Sequence, residues 1–255
     1  NEGRLNAHLD ENVLTVEEMR LKDDTGQLNL KGSWALDNGE KKEVDVSINR
    51  FQLLNTAQAR FYTNGKIKLL SKPTNEVEIQ GAITIDNGTI LIDAFEDESV
   101  EEVQLDENGG NESLLEEEQE IYLDLALTLG NNLSIKNQSQ PRLDIRPTGT
   151  IELAGKLGED SLQAFGSIRT TRGTLDVIGK RFNIEEANTF FDGDLMNPQL
   201  KILALYRVPR PHEVEIRHII TGRLKDPNFA YESNPPMELQ NIISYVLFNK
   251  PYYAL

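Results

Sequence analysis

From Leu28 to Leu36 the even positions hold Leu28, Leu30, Gly32, Trp34 and Leu36, while Asn29, Lys31, Ser33 and Ala35 hold the odd ones. That is the period of a strand with one buried face. Val44, Val46 and Ile48 alternate in the same way, and Asp37-Asn38-Gly39 between the two runs has the residues of a hairpin turn. Between Phe51 and Tyr62 the pattern lapses into a helical turn or an irregular crossing; Asn64-Gly65 then predicts a turn before Ile67, Leu69, Val77 and Ile79 resume the alternation. The cleanest strand carries Ile121, Leu123, Leu125, Leu127 and Leu129 on one face, with Tyr122, Asp124, Ala126 and Thr128 opposite. Short runs follow at Leu133 and Ile135, at Leu143 and Ile145, and at Ile151 and Leu153, each bounded by Gly, Pro or Asn. Val214, Ile216, His218 and Ile220 predict a further strand, and Phe229 with Tyr231 another. Short strands at this spacing mean an all-β architecture.

Two features break the monotony. The unit Gly81-Ala-Ile-Thr-Ile-Asp-Asn-Gly88-Thr-Ile90 recurs as Gly166-Ser-Ile-Arg-Thr-Thr-Arg-Gly173-Thr-Leu175, with glycines seven apart in both copies. A glycine permits a tight turn or a close backbone approach, so each copy predicts one hairpin of a stacked array. Near the end, Leu239, Ile242, Ile243, Val246 and Leu247 fall at helical spacing in a segment, 235–249, whose first turn holds Pro235 or Pro236. So short a helix is too small to span a bilayer or to stand alone. Its stripe is expected to plug the end of the β body or to meet a partner or membrane.

Charge changes the picture at one place. The chain of 255 residues has a formal net charge of −16, and Asp93 to Glu120 contributes thirteen acids with no Lys or Arg. Such a block cannot collapse on itself and predicts a mobile insertion over 93–120. A calcium loop at Asp106-Glu107-Asn108-Gly109 lacks the EF-hand spacing. The negative balance disfavours a nucleic-acid partner, which needs cations against its phosphates. With 38% apolar residues a folded body is expected, and zero cysteines remove disulfides and thiolate chemistry. The chain begins at Asn1 without a signal peptide and is expected to be a fragment of a longer protein.

Candidate chemistry is sparse. His8, His212 and His218 are the only imidazoles; none has a nucleophile's setting, and two histidines six apart do not make a zinc site. His218 occupies an apolar phase of its strand, as a hydrogen-bonded structural histidine does. No phosphate loop or dinucleotide fingerprint occurs, so no catalytic residue, metal site or cofactor is assigned. Arg207, Arg210, Arg217, Arg223 and Lys225 form a basic group that either balances neighbouring acids or meets lipid headgroups or an acidic partner.

Residues 166–248 carry four devices in sequence: the glycine-spaced unit from Gly166, the strand start Asn197-Pro198-x-Leu200-x-Ile202, the turn Gly222-x-Leu224-x-Asp226-Pro227, and a helix begun by Ser233-Asn234-Pro235-Pro236. With the aromatic-glycine turn Phe190-Phe191-Asp192-Gly193, this order resembles the C-terminal domain of the TamB family, the inner-membrane-anchored subunit of the bacterial translocation and assembly module. The likeness covers 145–250, and upstream only its style of β repeat continues. Tyr206-Arg-Val-Pro209-Arg-Pro211 departs from it with a stiffer connection that leaves the local pairing open.

Alternation alone leaves open whether a second sheet covers the apolar face or a curled sheet leaves a trough. The resemblance implies the trough: one all-β domain over 1–255, an elongated curled β-sheet groove (β-taco-like) with an apolar interior and a short C-terminal helix. It also implies a periplasmic place near the outer membrane and a non-enzymatic role, guiding phospholipid acyl chains outward and supporting autotransporter assembly with a TamA-type barrel partner. By that likeness Leu123, Leu125, Leu127, Leu129, Leu143, Ile145, Ile151 and Leu153 line the groove, and the helical stripe caps it or meets the barrel. Two other readings stand beside it: a chaperone adding strands to unfolded outer-membrane proteins through open sheet edges, and a β-helical enzyme acting on polysaccharide.

Overall fold

The computed structural model describes residues 2–35, 42–71, 76–92, 120–139, 142–158, 161–177, 179–210 and 213–254. Its strands in chain order are β1 (Glu2–Asp10), β2 (Val13–Lys22), β3 (Gln27–Ala35), β4 (Lys42–Asn55), β5 (Ala59–Ser71), β6 (Glu76–Leu91), β7 (Glu120–Leu129), β8 (Leu133–Asn137), β9 (Arg142–Lys156), β10 (Gln163–Val177), β11 (Lys180–Asp194), β12 (Gln199–Arg207), β13 (Glu215–Arg223) and β14 (Asp226–Asn234). An α-helix, α1 (Leu239–Phe248), follows, and then a 3-10 turn at Tyr252–Ala254. All fourteen strands form one sheet in chain order, except that β8 sits off the path between β6 and β9. The protein is all-β.

Neighbours are antiparallel apart from β7 and β8, which run parallel to β6. A parallel neighbour needs a long return. Glu120 opens β7 opposite Glu76, the first residue of β6, so the chain must travel back along the whole of β6 before pairing. The acidic segment expected to be mobile lies outside the described residues, apart from Glu120, which pairs with Lys156 Nζ at 3.1 Å. The predicted turn at Asp37-Asn38-Gly39 also lies outside them.

Several expected turns are strand interiors instead. The two glycine units are not hairpins: Gly81 and Gly88 lie within β6, and Gly166 and Gly173 within β10. Gly81 has φ 139° and Gly166 φ 125°, and a Cβ on either would strike a carbonyl oxygen of the adjacent strand, that of Lys66 or Thr150. The repeat therefore encodes a close approach between strands, not chain reversal. Asn64-Gly65 runs straight through β5, facing Thr84 and Ile83 of β6. The runs around Leu143 and Ile151 are one strand, β9, which passes through Pro147; a bulge on β10 between Thr170 and Gly173 absorbs the irregularity. At 51–62 the chain makes no helical turn: β4 continues to Asn55, and Thr56 N–H donates to Ala59 O at 2.9 Å to close a tight turn into β5.

The register sets one apolar face across the sheet. Met19, Leu30, Val46, Ile67, Gly81, Leu125, Leu153 and Ala164 stand opposite one another from β2 to β10. We call this the inner face. With no second sheet among the described residues, full burial of Leu133 and Ala164 (each 0% exposed) requires the sheet to curl over its own inner face. β1 and β14 are its two edges, and no pairing joins them among the described residues.

Candidate functional site

The inner face is built by alternation, and the structure places every predicted groove residue on it. Leu125 pairs with Leu153 and Leu127 with Ile151, while Leu123 and Leu129 face Gly155 and Gly149. At both glycines the neighbouring chain comes close, so that a Cβ would strike the carbonyl oxygen of Ser161 or Ser167. Ile145 faces Ile135, and Leu143 lies one step nearer the end of β9, opposite Leu175 of β10. Ile151 and Leu129 are buried; the other six are half-buried. The inner face is therefore not equally covered along its length.

Three apolar clusters mark where it closes. Ile151, Ala164 and Phe191 gather Leu127 and Leu153 around them; Ala59, Phe61, Leu129 and Leu133 form a second group with Ile85 and Ile168. The third involves the helix: Ile242 and Tyr245 pack on Phe182, Ala204, Tyr206, Val208, Val214 and Ile216. All of these strand residues lie on β11–β13 or their connection, so α1 covers the inner face at the C-terminal end.

The helix starts later than the sequence predicts. Pro235 to Met237 precede it, and Glu238 is its N-cap with no side-chain bond. Of the predicted stripe, Ile242 is 3% exposed and Val246 packs partly into the cluster, while Leu239, Ile243 and Leu247 are 54%, 44% and 41% exposed. Tyr245, outside the stripe, is buried in its place. It stands three residues after Ile242, and that spacing was a readable signal. The C-terminal end is tied down by Asn249, in the left-handed conformation at φ 57°, whose Oδ1 accepts from Tyr206 Oη at 2.7 Å and Lys180 Nζ at 2.9 Å. Ser244 Oγ donates to Lys250 O at 2.7 Å.

Between α1 and the sheet lies a cavity of about 260 Å³ lined by Val177, Phe182, His218, Tyr231, Ile243, Val246 and Leu247. His218 stacks on Tyr231 at 4.4 Å between ring centroids and meets Phe182 and Phe229 at 5.9 and 5.7 Å. Unlike the hydrogen-bonded histidine expected there, its Nε2 is buried without a partner. Burial holds the imidazole below its usual pKa. His8 lies far away, 3.8 Å from Glu17 on β2, and His212 is outside the described residues.

A larger hollow, about 1030 Å³, lies over β2–β6 and is bounded mainly by outer-face side chains such as Arg20, Asn29, Lys31 and Asp45. Several are already paired: Arg20 with Glu18, and Lys68 with Glu43 at 2.6 Å and Asp45 at 3.8 Å. Of the basic group near the C-terminus, Arg207 meets Glu215 at 2.8 Å, Arg210 meets Glu213 at 3.7 Å and Arg223 meets Asp192 at 2.6 Å. The Arg223 bond holds the Asp192 carboxyl below its usual range. These arginines balance neighbouring acids. No three His, Asp or Glu side chains converge as metal ligands among the described residues.

Comparison with known proteins gives two findings. The pattern defining the TamB C-terminal domain matches residues 17–255. The translocation and assembly module subunit TamB of Haemophilus influenzae is 25% identical over 268 residues, covering 96% of this chain. The chain spans 20% of that relative's length.

Proposed function

The chain belongs to the TamB family, and on that premise we propose that it is a non-enzymatic section of a periplasmic conduit. In this reading its inner face guides phospholipid acyl chains from the inner toward the outer membrane. It supports autotransporter assembly together with a TamA-type outer-membrane barrel. The name of the Haemophilus influenzae relative, a translocation and assembly module subunit, supports the setting. The observation that carries the reading is the half-buried inner row through Leu125, Leu153 and their neighbours, which no second sheet covers among the described residues. An acyl chain laid there leaves water at about 0.8 kcal/mol per methylene while its headgroup stays wet at the rim. Among the described residues no helix is long and apolar enough to cross a membrane.

Leu125→Arg tests this. Leu125 is half-buried, so an arginine stem there can lie along apolar neighbours with its head in water. The variant is expected to fold, with a modest drop in the denaturant midpoint, and to carry much less lipid after purification. Lipid content equal to wild type removes Leu125 from the path; an unfolded variant means that the row is a closed core.

The unpaired side of β14 favours a second reading. β14 has one side unpaired among the described residues, and in this reading unfolded outer-membrane proteins add strands there. Crosslinks from client peptides to β14, rather than lipid at Leu125, would select it.

A further inference from the structure

The hairpins β8–β9 and β10–β11 turn at one rim of the sheet, and there the register sets two charged rows side by side on the outer face. Arg142 of β9 stands opposite Asp176 of β10, which stands opposite Arg181 of β11. In the adjoining row Lys136 of β8 faces Asp144 of β9, and Asp144 faces Thr174 of β10. Residues opposed across antiparallel strands keep their Cβ atoms about 5 Å apart. Each row is therefore compact enough for one small ligand to touch all of it. Around the rows opens a cavity of about 470 Å³, within the roughly 300–1,000 Å³ usual for small-ligand clefts.

The two rows differ in how well they are satisfied. Lys136 Nζ lies 3.3 Å from Asp144 Oδ2, and Ser134 Oγ donates to Asp144 Oδ1 at 3.2 Å. Arg142 and Arg181 are exposed and have no acceptor among the described residues. Between them Asp176 Oδ1 is buried with no donor. A buried polar atom without a partner is uncommon and costly, and here it lies between two guanidinium groups that also lack one. The row needs acceptor oxygens at its two ends and an N–H donor at its centre.

One class of ligand supplies both: a phosphate joined by a short link to a primary ammonium. We propose that this rim binds the headgroup of a zwitterionic aminophospholipid, its phosphate held by Arg142 and Arg181 and its ammonium donating to Asp176. Guanidinium matches phosphate oxygens with paired N–H groups. A quaternary ammonium has no N–H to give Asp176, so choline lipids are discriminated against. Leu143, an inner-face residue opposite Leu175, lines the same cavity, so the site reaches the rim over which tails enter the groove. In that respect it rests on the groove proposed above, whereas headgroup recognition does not.

The experiment is an NMR titration of the folded domain with phosphoethanolamine, phosphocholine and inorganic phosphate, none of which has tails. Wild type is expected to bind phosphoethanolamine about tenfold more tightly than the other two. R142Q and R181Q, both at exposed positions, are each expected to weaken it about tenfold. D176N is expected to keep phosphate binding and lose the preference for the primary amine. If D176N does not fold, discrimination between phosphoethanolamine and phosphocholine by wild type decides the point. Equal affinity for the three compounds, or R142Q and R181Q binding as wild type does, overturns the site. A second arm uses short-chain phosphatidylethanolamine with a photoreactive tail, which is expected to label inner-face residues near Leu143. Headgroup binding without inner-face labelling assigns the site to a soluble phosphoamine and overturns the lipid source, leaving the fate of the groove to be read separately from Leu125→Arg.

Discussion

The two ends of the sheet carry the same alternation and meet different fates. On β13, Ile216 is 0% exposed because Ile242 and Tyr245 of α1 lie over it. On β3, Leu28 and Leu30 hold equivalent inner-face positions, yet among the described residues they join no buried cluster and stay half-buried. β1 goes further, with Leu5 65% exposed. An apolar face is thus a property of a strand, whereas a core is a property of what covers it. The capped end has its partner within the chain; at the other end the described residues leave the apolar row half-buried.

The sharpest way to break this contrast is to put a carboxylate at matched positions. Ile242→Asp buries an unpaired charge in the capped cluster and is expected to cost about 4 kcal/mol, read from a urea melt. Leu30→Asp on the open face leaves its charge in water and is expected to cost about 1 kcal/mol. Equal losses would mean that the open face is itself a closed core.

The joint between the two regions is the parallel pair β6–β7. Returning from Leu91 to the start of β7 covers about fifteen residues of strand, close to 50 Å at about 3.3 Å per residue. The 27 residues from 93 to 119 have ample reach. Replacing the acids by Ser and Asn at constant length is expected to leave the melting temperature nearly unchanged. Shortening the connection below about fifteen residues is expected to abolish β6–β7 pairing, measured by amide exchange at Leu123 to Leu127.

Acid separates the ends as well. In the open half, burial pushes the Asp23 carboxyl up, but the Gln52 N–H at 2.6 Å, with Thr25 and Gly26, outweighs it and holds the pKa at about 2. Because this pKa is depressed below its unfolded value of 3.8, the stabilisation is complete above that value and is lost as pH falls toward about 2. Asp23→Ala is expected to cost about 1–2 kcal/mol at neutral pH. At the capped end His218 is depressed below its unfolded value of 6.5. There the unfolded state takes up protons first, so stability falls as pH drops below that value. Exchange protection of β13 is therefore expected to weaken in mild acid while that of β3 persists, and His218→Phe is expected to remove the difference.

The smallest expected effect sits one residue from the largest. Ile243→Asp, at the half-open mouth of the cavity between α1 and the sheet, is expected to cost less than about 1 kcal/mol. Such a variant that nonetheless loses outer-membrane association would assign the mouth of this cavity to a partner.

Strand number and face were legible wherever alternation ran unbroken, as from Ile121 to Leu129, because side-chain direction in a strand depends only on parity. The helix was legible from Leu239 to Leu247 for the corresponding reason. Its buried side was legible only in the spacing of Ile242 and Tyr245, and the structure seats Tyr245 in the cluster on β11–β13 while Ile243 stays exposed. Nor were the interiors of β5, β6 and β10: Asn64-Gly65, Gly88 and Gly173 have the composition of turns, and only the neighbouring backbone shows that they are points of close approach. The rim row of Arg142, Asp176 and Arg181 is spread over 40 residues, so no local motif announces it. Sequence by itself determined the all-β class, the family and the apolar face, all of which follow from local order and short-range periodicity. Tertiary structure decided the register, the parallel return at β6–β7, which end is covered, and which charges stand together. These depend on pairings between distant strands, and each pairing is settled only by the curl and register of the whole sheet.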